Sequence, residues 1–202
     1  MIELSNISKR FADKKVLEGL SYVFLDGAVY TIKGRSGCGK STLLRIIAGL
    51  DKEYSGDVRN GGTVSFSFQN AMLFPWLDAV SNVTVGSFSS IPDKKTRIYE
   101  AEELLTFLGF DAKDMKKSPS ELSGGMQAKC GIARALSKRA DVYLFDEPFA
   151  NLDKDSIKRC RELIGARTEG KTVITVSHGD ETGDGSVILY CAGDPVSRLE
   201  TV

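Results

Sequence analysis

Apolar and polar residues alternate through the first thirty positions, with Ile2, Leu4 and Ile7, then Val16, Leu17, Leu20, Tyr22 and Phe24. That period of two, broken by the turn-like Ala12-Asp13-Lys14, predicts antiparallel strands. From residue 29 the pattern changes. A short apolar strand at Val29 to Ile32 runs into the glycine-rich Gly34 to Gly39 and then a helical stretch, Lys40 to Leu50. A polar connection from Asp51 to Gly62 leads to a strand at Thr63 to Phe68. Residues 79–122 carry helical periodicity in patches, notably Lys94 to Leu108, with Pro92 and Pro119 as punctuation, and read as an inserted helical lobe. Beyond it come a helix (Gly125 to Ser137), a buried-type strand (Val142 to Phe145), a helix (Lys154 to Arg167), a strand (Thr172 to Val176) and a last strand at Val187 to Tyr190. Alternating strand and helix predicts an α/β fold, a mainly parallel sheet with helices on both faces and an antiparallel N-terminal portion.

Length and charge narrow this little. The 202 residues suit one domain, 1–202, with the lobe inside it. The 27 basic and 27 acidic side chains cancel, so the sequence has no electrostatic footprint for nucleic acid. The first residues lack a signal-peptide core, and no run of about 18 apolar residues predicts a membrane span, which points to the cytoplasm. Cys38, Cys130, Cys160 and Cys191 stand singly in sequence, without a C-x-x-C pair or a nearby His, and read as isolated reduced thiols.

The chemistry lies in two strand ends. Gly34-Arg35-Ser36-Gly37-Cys38-Gly39-Lys40-Ser41 fits G-x-x-x-x-G-K-[ST] between a strand and a helix, with Thr42 following. Glycines let the backbone turn its N–H groups onto phosphate oxygens, and the positive end of the following helix faces the same anion. Lys40 would reach the β- and γ-phosphates of ATP and Ser41 would ligate magnesium. Val142 to Phe145 ends in Asp146-Glu147-Pro148, which puts two carboxylates at the carboxyl edge of the sheet. Asp146 would hold magnesium and Glu147 would polarise the attacking water.

Leu122-Ser123-Gly124-Gly125-Met126-Gln127, with Ile132-Ala133-Arg134-Ala135-Leu136 after it, resembles the signature of the ATP-binding-cassette (ABC) ATPases. That resemblance implies a P-loop ABC-ATPase fold in a head-to-tail homodimer, where Ser123, Gly124, Gly125 and Met126 close over the nucleotide of the partner. It also implies roles for further residues. Phe11 and Val16 resemble the adenine-contacting positions, and Gln69 the glutamine that touches magnesium and water. Asp153, in Ala150-Asn151-Leu152-Asp153, resembles the residue that communicates across the dimer, and it also suits a helix N-cap. His178 resembles the switch histidine that meets the γ-phosphate. Leu73-Phe74-Pro75-Trp76-Leu77 is similar to a segment of the nitrate, sulfonate and taurine importers; Phe74 and Trp76 would then grip a permease, or Trp76 and Leu77 would pack the lobe onto the sheet.

Where the sequence departs from the family pattern, Gly49 to Gln69 and Gly179 to Gly185 look trimmed, Met126 stands where Gln is commoner, and Lys129 where Arg is frequent. The resemblance thus implies the ATPase subunit of an importer at the inner face of the membrane, using separate permease subunits and, through them, an extracytoplasmic solute-binding protein. A non-transport ABC ATPase and an ATP-clamping module without turnover remain alternatives. Cys38, near a helix N-terminus and Lys40, is expected to favour its thiolate, so that alkylating it blocks ATP binding.

Overall fold

The structure, a computed structural model, describes residues 1–177 and 185–201. Strands β1 (Ile2–Phe11) and β2 (Lys14–Phe24) pair antiparallel, and β1 also pairs with β4 (Ser55–Asn60), giving a three-stranded sheet in the order β2-β1-β4. A second sheet of six strands runs β5 (Val64–Ser67), β6 (Val142–Asp146), β7 (Thr172–Val176), β3 (Val29–Lys33), β8 (Val187–Ala192) and β9 (Arg198–Thr201). All its neighbours are parallel except β8 and β9.

The period of two along β6 separates two cores. Val142 and Leu144 point, with Ile32, Ile174 and Val176, into a cluster formed with α1 (Lys40–Ile47) and the three-stranded sheet. Tyr143 and Phe145 point the other way, into a cluster with α2 (Ala79–Ser87), α3 (Lys94–Phe107), α4 (Gly124–Ser137) and α5 (Lys154–Arg167). Every residue of β6 is buried, which explains its unbroken apolar run. Each large apolar side chain so buried contributes about 1.5–3 kcal/mol. Four of the helices have a side-chain N-cap in which an oxygen accepts a backbone N–H of the first turn: Asp78, Asp93, Ser123 and Asp153.

The predicted order of elements holds, with three differences. The supposed connection from Asp51 to Gly62 contains β4, whose Ser-Gly-Asp-Val-Arg-Asn offers only Val58 as an apolar residue. It is a strand because the free edge of β1 pairs with it, Leu4 opposite Val58 and Ile2 opposite Asn60. Helix α1 ends at Ile47 rather than Leu50, since Gly49 takes φ 70° and stops it. The tail holds a longer β8 and an additional strand, β9, turned back by Gly193 and Pro195. No described helix is long and apolar enough to cross a membrane.

Candidate functional site

The carboxyl ends of β3, β5 and β6 meet at one edge of the six-stranded sheet, and a cleft of about 410 Å³ opens there. Phe11, Lys14 and Val16 line one end, Ser36, Gly37 and Gly39 to Thr42 the floor, and Gln69 and Glu147 the far wall. Phe11 is half exposed at 52%. The ammonium of the buried Lys9, fixed by Asp51 Oδ1 at 2.8 Å and the Glu53 carbonyl at 2.6 Å, lies 4.8 Å from its ring centroid. A buried cation below the ring makes the site more rigid.

The phosphate-loop residues form a tight turn into α1. Gly39 has φ 117° and is the N-cap of the helix; a Cβ there would come within 2.5 Å of Val16 Cγ1, so the position admits only glycine. Lys40 is buried and donates to the carbonyls of Gly34 and Arg35, both at 2.9 Å, which ties the loop's start to its end. Ser41 Oγ donates to Asp146 Oδ1 at 2.8 Å, joining the loop to the end of β6. Burial pushes the Asp146 carboxyl above the ordinary Asp value, and the Ser41 hydrogen bond offsets only part of that. A hydroxyl and a carboxylate oxygen this close, on fixed elements, fit the oxygen donors that magnesium takes.

On the far wall, Gln69 Nε2 donates to Glu147 Oε2 at 2.9 Å. Glu147 adopts φ 46°, a region non-glycine residues seldom enter, and its N–H is held by the Val176 carbonyl at 3.0 Å. The backbone thus aims the carboxylate across the mouth of the cleft at a cost of about 1–3 kcal/mol in local strain.

The signature residues lie elsewhere. Ser123 and Gly124 are exposed at the start of α4, where Ser123 Oγ accepts from Met126 N–H at 3.2 Å. A Cβ on Gly125 would stand 3.2 Å from the Asn151 carbonyl, so this corner packs on the Ala150-Asn151-Leu152-Asp153 turn, whereas a Cβ on Gly124 would meet nothing within 4 Å. Asp153 caps α5, accepting from Ser156 N–H at 2.9 Å and Ser156 Oγ at 2.8 Å, and these bonds hold its carboxyl below the ordinary value.

Of the predicted residues, Phe11, Val16, Ser36, Gly37, Gly39, Lys40, Ser41, Thr42, Gln69 and Glu147 come together around the cleft, with Asp146 bonded beneath it. Gly34 and Arg35 serve through their carbonyls. Cys38 does not line the cleft and faces Cys191 instead, which corrects the reading of four isolated thiols. His178 lies outside the described residues. Lys14, two residues before Val16, was missed; Lys9, whose partners Asp51 and Glu53 stand over forty residues away in sequence, gives no local signal.

A second, open cleft of about 530 Å³ lies between α1, β5 and the helical lobe, with Leu50, Phe66, Phe68, Phe74, Val85 and Phe88 on its walls. Trp76 stands outside it, 75% exposed and 5.5 Å from the Phe74 ring, so it does not pack the lobe onto the sheet.

A family model described as ABC transporter matches residues 17–150. The chain is 41% identical over 187 residues to the aliphatic sulfonates import ATP-binding protein SsuB of Rhodopseudomonas palustris (strain BisA53), covering 88% of this chain and 65% of that protein. It is 40% identical over 173 residues to SsuB of Bacillus subtilis (strain 168), covering 81% and 66%. The matched stretch therefore spans just under two thirds of these two relatives. The Fe(3+) ions import ATP-binding protein FbpC 1 of Rhizobium meliloti (strain 1021) is 36% identical over 189 residues, covering 87% and 53%. Among solved structures, the dimeric post-hydrolysis state of the ATP-binding cassette MJ0796, bound to ADP and Pi, superposes with a TM-score of 0.89 at 29% identity, covering 100% of this chain and 98% of that one. A family match over most of the sequence, relatives above 30% identity and a cleft built on the same motifs lead to one conclusion: this chain belongs to the ABC transporter family.

Proposed function

We propose that the chain is an ATP-hydrolysing subunit of an ABC importer, acting as a head-to-tail homodimer on separate permease subunits at the inner face of the membrane. The observation that carries this is the bonded set across the cleft, Ser41 to Asp146 and Gln69 to Glu147. In this reading residues 1–202 form one unit, with the helical lobe inserted at about 79–122. Adenine stacks on Phe11 beside Val16, and the triphosphate lies along the loop from Gly34 to Thr42, whose Lys40 ammonium neutralises phosphate charge. Ser41, Asp146 and Gln69 would hold magnesium, which supplies charge neutralisation on the phosphate oxygens. Glu147 accepts a proton from the attacking water, and the Gln69 amide fixes the orientation of that carboxylate. Ser123, Gly124, Gly125 and Met126 of a second copy donate to the γ-phosphate, Asp153 contacts that copy, and His178 is assigned the γ-phosphate contact by the family pattern.

The open apolar cleft containing Phe74, with Trp76 beside it, suits a helical segment of the permease. The naming of two relatives as sulfonate importers supports a small organic anion as the solute, delivered by an extracytoplasmic binding protein. Co-purification from native membranes tests the reading. Recovery of an integral membrane permease, together with ATP-dependent phosphate release, is the expected result. Phosphate release without any membrane partner would favour the non-transport ATPase, and ATP binding without release would favour a clamping module.

A further inference from the structure

Cys191 lies next to the end of β8, which pairs with β3 on one side and β9 on the other, Tyr190 opposite Lys33 and Cys191 opposite Leu199. One residue beyond Lys33 the phosphate loop begins at Gly34. A Cβ built on Gly34 would stand 3.1 Å from Cys38 Sγ, 3.0 Å from Cys191 Cβ and 3.7 Å from Cys191 Sγ, so both thiols converge on the space this glycine leaves open. The Cys191 thiol is hydrogen-bonded to Cys38, and both residues are half-buried rather than sealed. One sulfur therefore rides on the loop and the other on a strand fixed from both sides.

We propose that Cys38 and Cys191 form a reversible thiol switch, in which a disulfide between them ties the phosphate loop to β8 and shuts the cleft to ATP. This rests on the reading of the cleft as the nucleotide site. The oxidant class is a hydroperoxide. The Cys38 thiolate attacks the peroxide oxygen; the S–O bond forms, the O–O bond breaks, and the leaving alkoxide or hydroxide takes up a proton. The Cys191 thiolate then attacks the sulfenic sulfur; the S–S bond forms, the S–O bond breaks, and hydroxide leaves as water with the proton Cys191 gave up. Two thiols lose two electrons and the peroxide gains them.

The surroundings divide the labour. The hydrogen bond from Cys191, with the nearby Lys40 ammonium, brings the Cys38 thiol down to about 6 despite partial burial, while Cys191 is raised by that same bond and by burial. Cys38 is the nucleophile and Cys191 the resolving thiol. Cys130 and Cys160 are fully buried and pushed up to about 12, which makes them internal controls that should not react. A bond between Cys38 and Cys191 would draw the loop's central residue toward Gly34 while Lys40 holds the carbonyls of Gly34 and Arg35. A loop fixed in that way cannot turn its N–H groups to the phosphates. Cytosolic disulfides of this kind are transient and redox-sensing.

The test is ATP titration of the purified chain, reduced and after hydrogen peroxide, with non-reducing peptide mass mapping of the same samples. The expected result is a Cys38–Cys191 linkage, a loss of ATP affinity of at least about tenfold, and recovery with a thiol reductant. Cys191→Ser should bind ATP normally when reduced. After prolonged peroxide it should not recover, because an unresolved Cys38 proceeds to sulfinic acid. Absence of the linkage in the wild-type chain, a linkage with unchanged ATP affinity, or full recovery of Cys191→Ser would each overturn the switch. Failure of the reduced wild-type chain to bind ATP would instead overturn the nucleotide reading. Should Cys191→Ser fail to fold, the wild-type map and titration decide alone.

Discussion

The molecule has two glycine corners at helix starts, and they are built in opposite ways. At the phosphate loop the chain is closed on itself: Gly39 is pressed against Val16, Lys40 is bonded to Gly34 and Arg35, and Ser41 is bonded to Asp146. At the signature, Gly125 is seated on the Asn151 turn but Ser123 and Gly124 face outward, and a side chain at 124 would touch nothing. The first corner is closed within its own chain; the second leaves Ser123 and Gly124 exposed. The difference predicts that the signature can be altered without disturbing the fold.

Four substitutions break or sharpen that contrast. On the proposed function, Glu147→Gln removes the proton acceptor at the mouth of the cleft while keeping its shape. Turnover should fall by about 10²–10⁴-fold with ATP still bound, as read by phosphate release beside an ATP titration. In the proposed head-to-tail dimer, Gly124→Asp places a carboxylate against the γ-phosphate of the second copy's ATP. Phosphate release should drop by about 10²-fold, with thermal stability unchanged because the site is open. A large fall in melting temperature would show that the corner is structural.

Lys40→Ala attacks the loop itself. Losing one charge-assisted bond to phosphate should weaken ATP binding by about tenfold or more in equilibrium titration. Asp146→Asn has the smallest effect and the opposite sign in stability. Because burial raises the folded-state value, the acid favours folding in its protonated form, and that contribution is lost as pH rises through the raised value. The amide should therefore melt higher than the parent at neutral pH, by roughly 2–4 °C for each kcal/mol removed, and the gap should close as pH falls toward the ordinary Asp value. An amide variant that melts lower at neutral pH would contradict the burial argument.

Most of the sheet and the cleft was legible in the sequence because their signals are local. The strand-loop-helix order around Lys40 lies within residues 29–47, and the apolar run of β6 ending at Asp146 within five residues. What escaped depends on distant pairing. β4 has almost no apolar content and exists through the edge of β1. β9 exists through β8. The neighbourhood of Cys38 and Cys191 follows from a parallel pairing between segments over 150 positions apart, which no spacing rule detects. Trp76, which suits the lobe by hydrophobicity alone, is exposed beside the apolar cleft.

The central claim is that ATP is gripped by the loop of one copy and sealed by the signature of another. Sedimentation of Glu147→Gln with saturating ATP and magnesium tests it most directly. The account predicts a species of two chains that reverts to one chain when Gly124→Asp is added, with ATP still bound. A single-chain species at saturating ATP, or a double variant that pairs as well as Glu147→Gln alone, would contradict it.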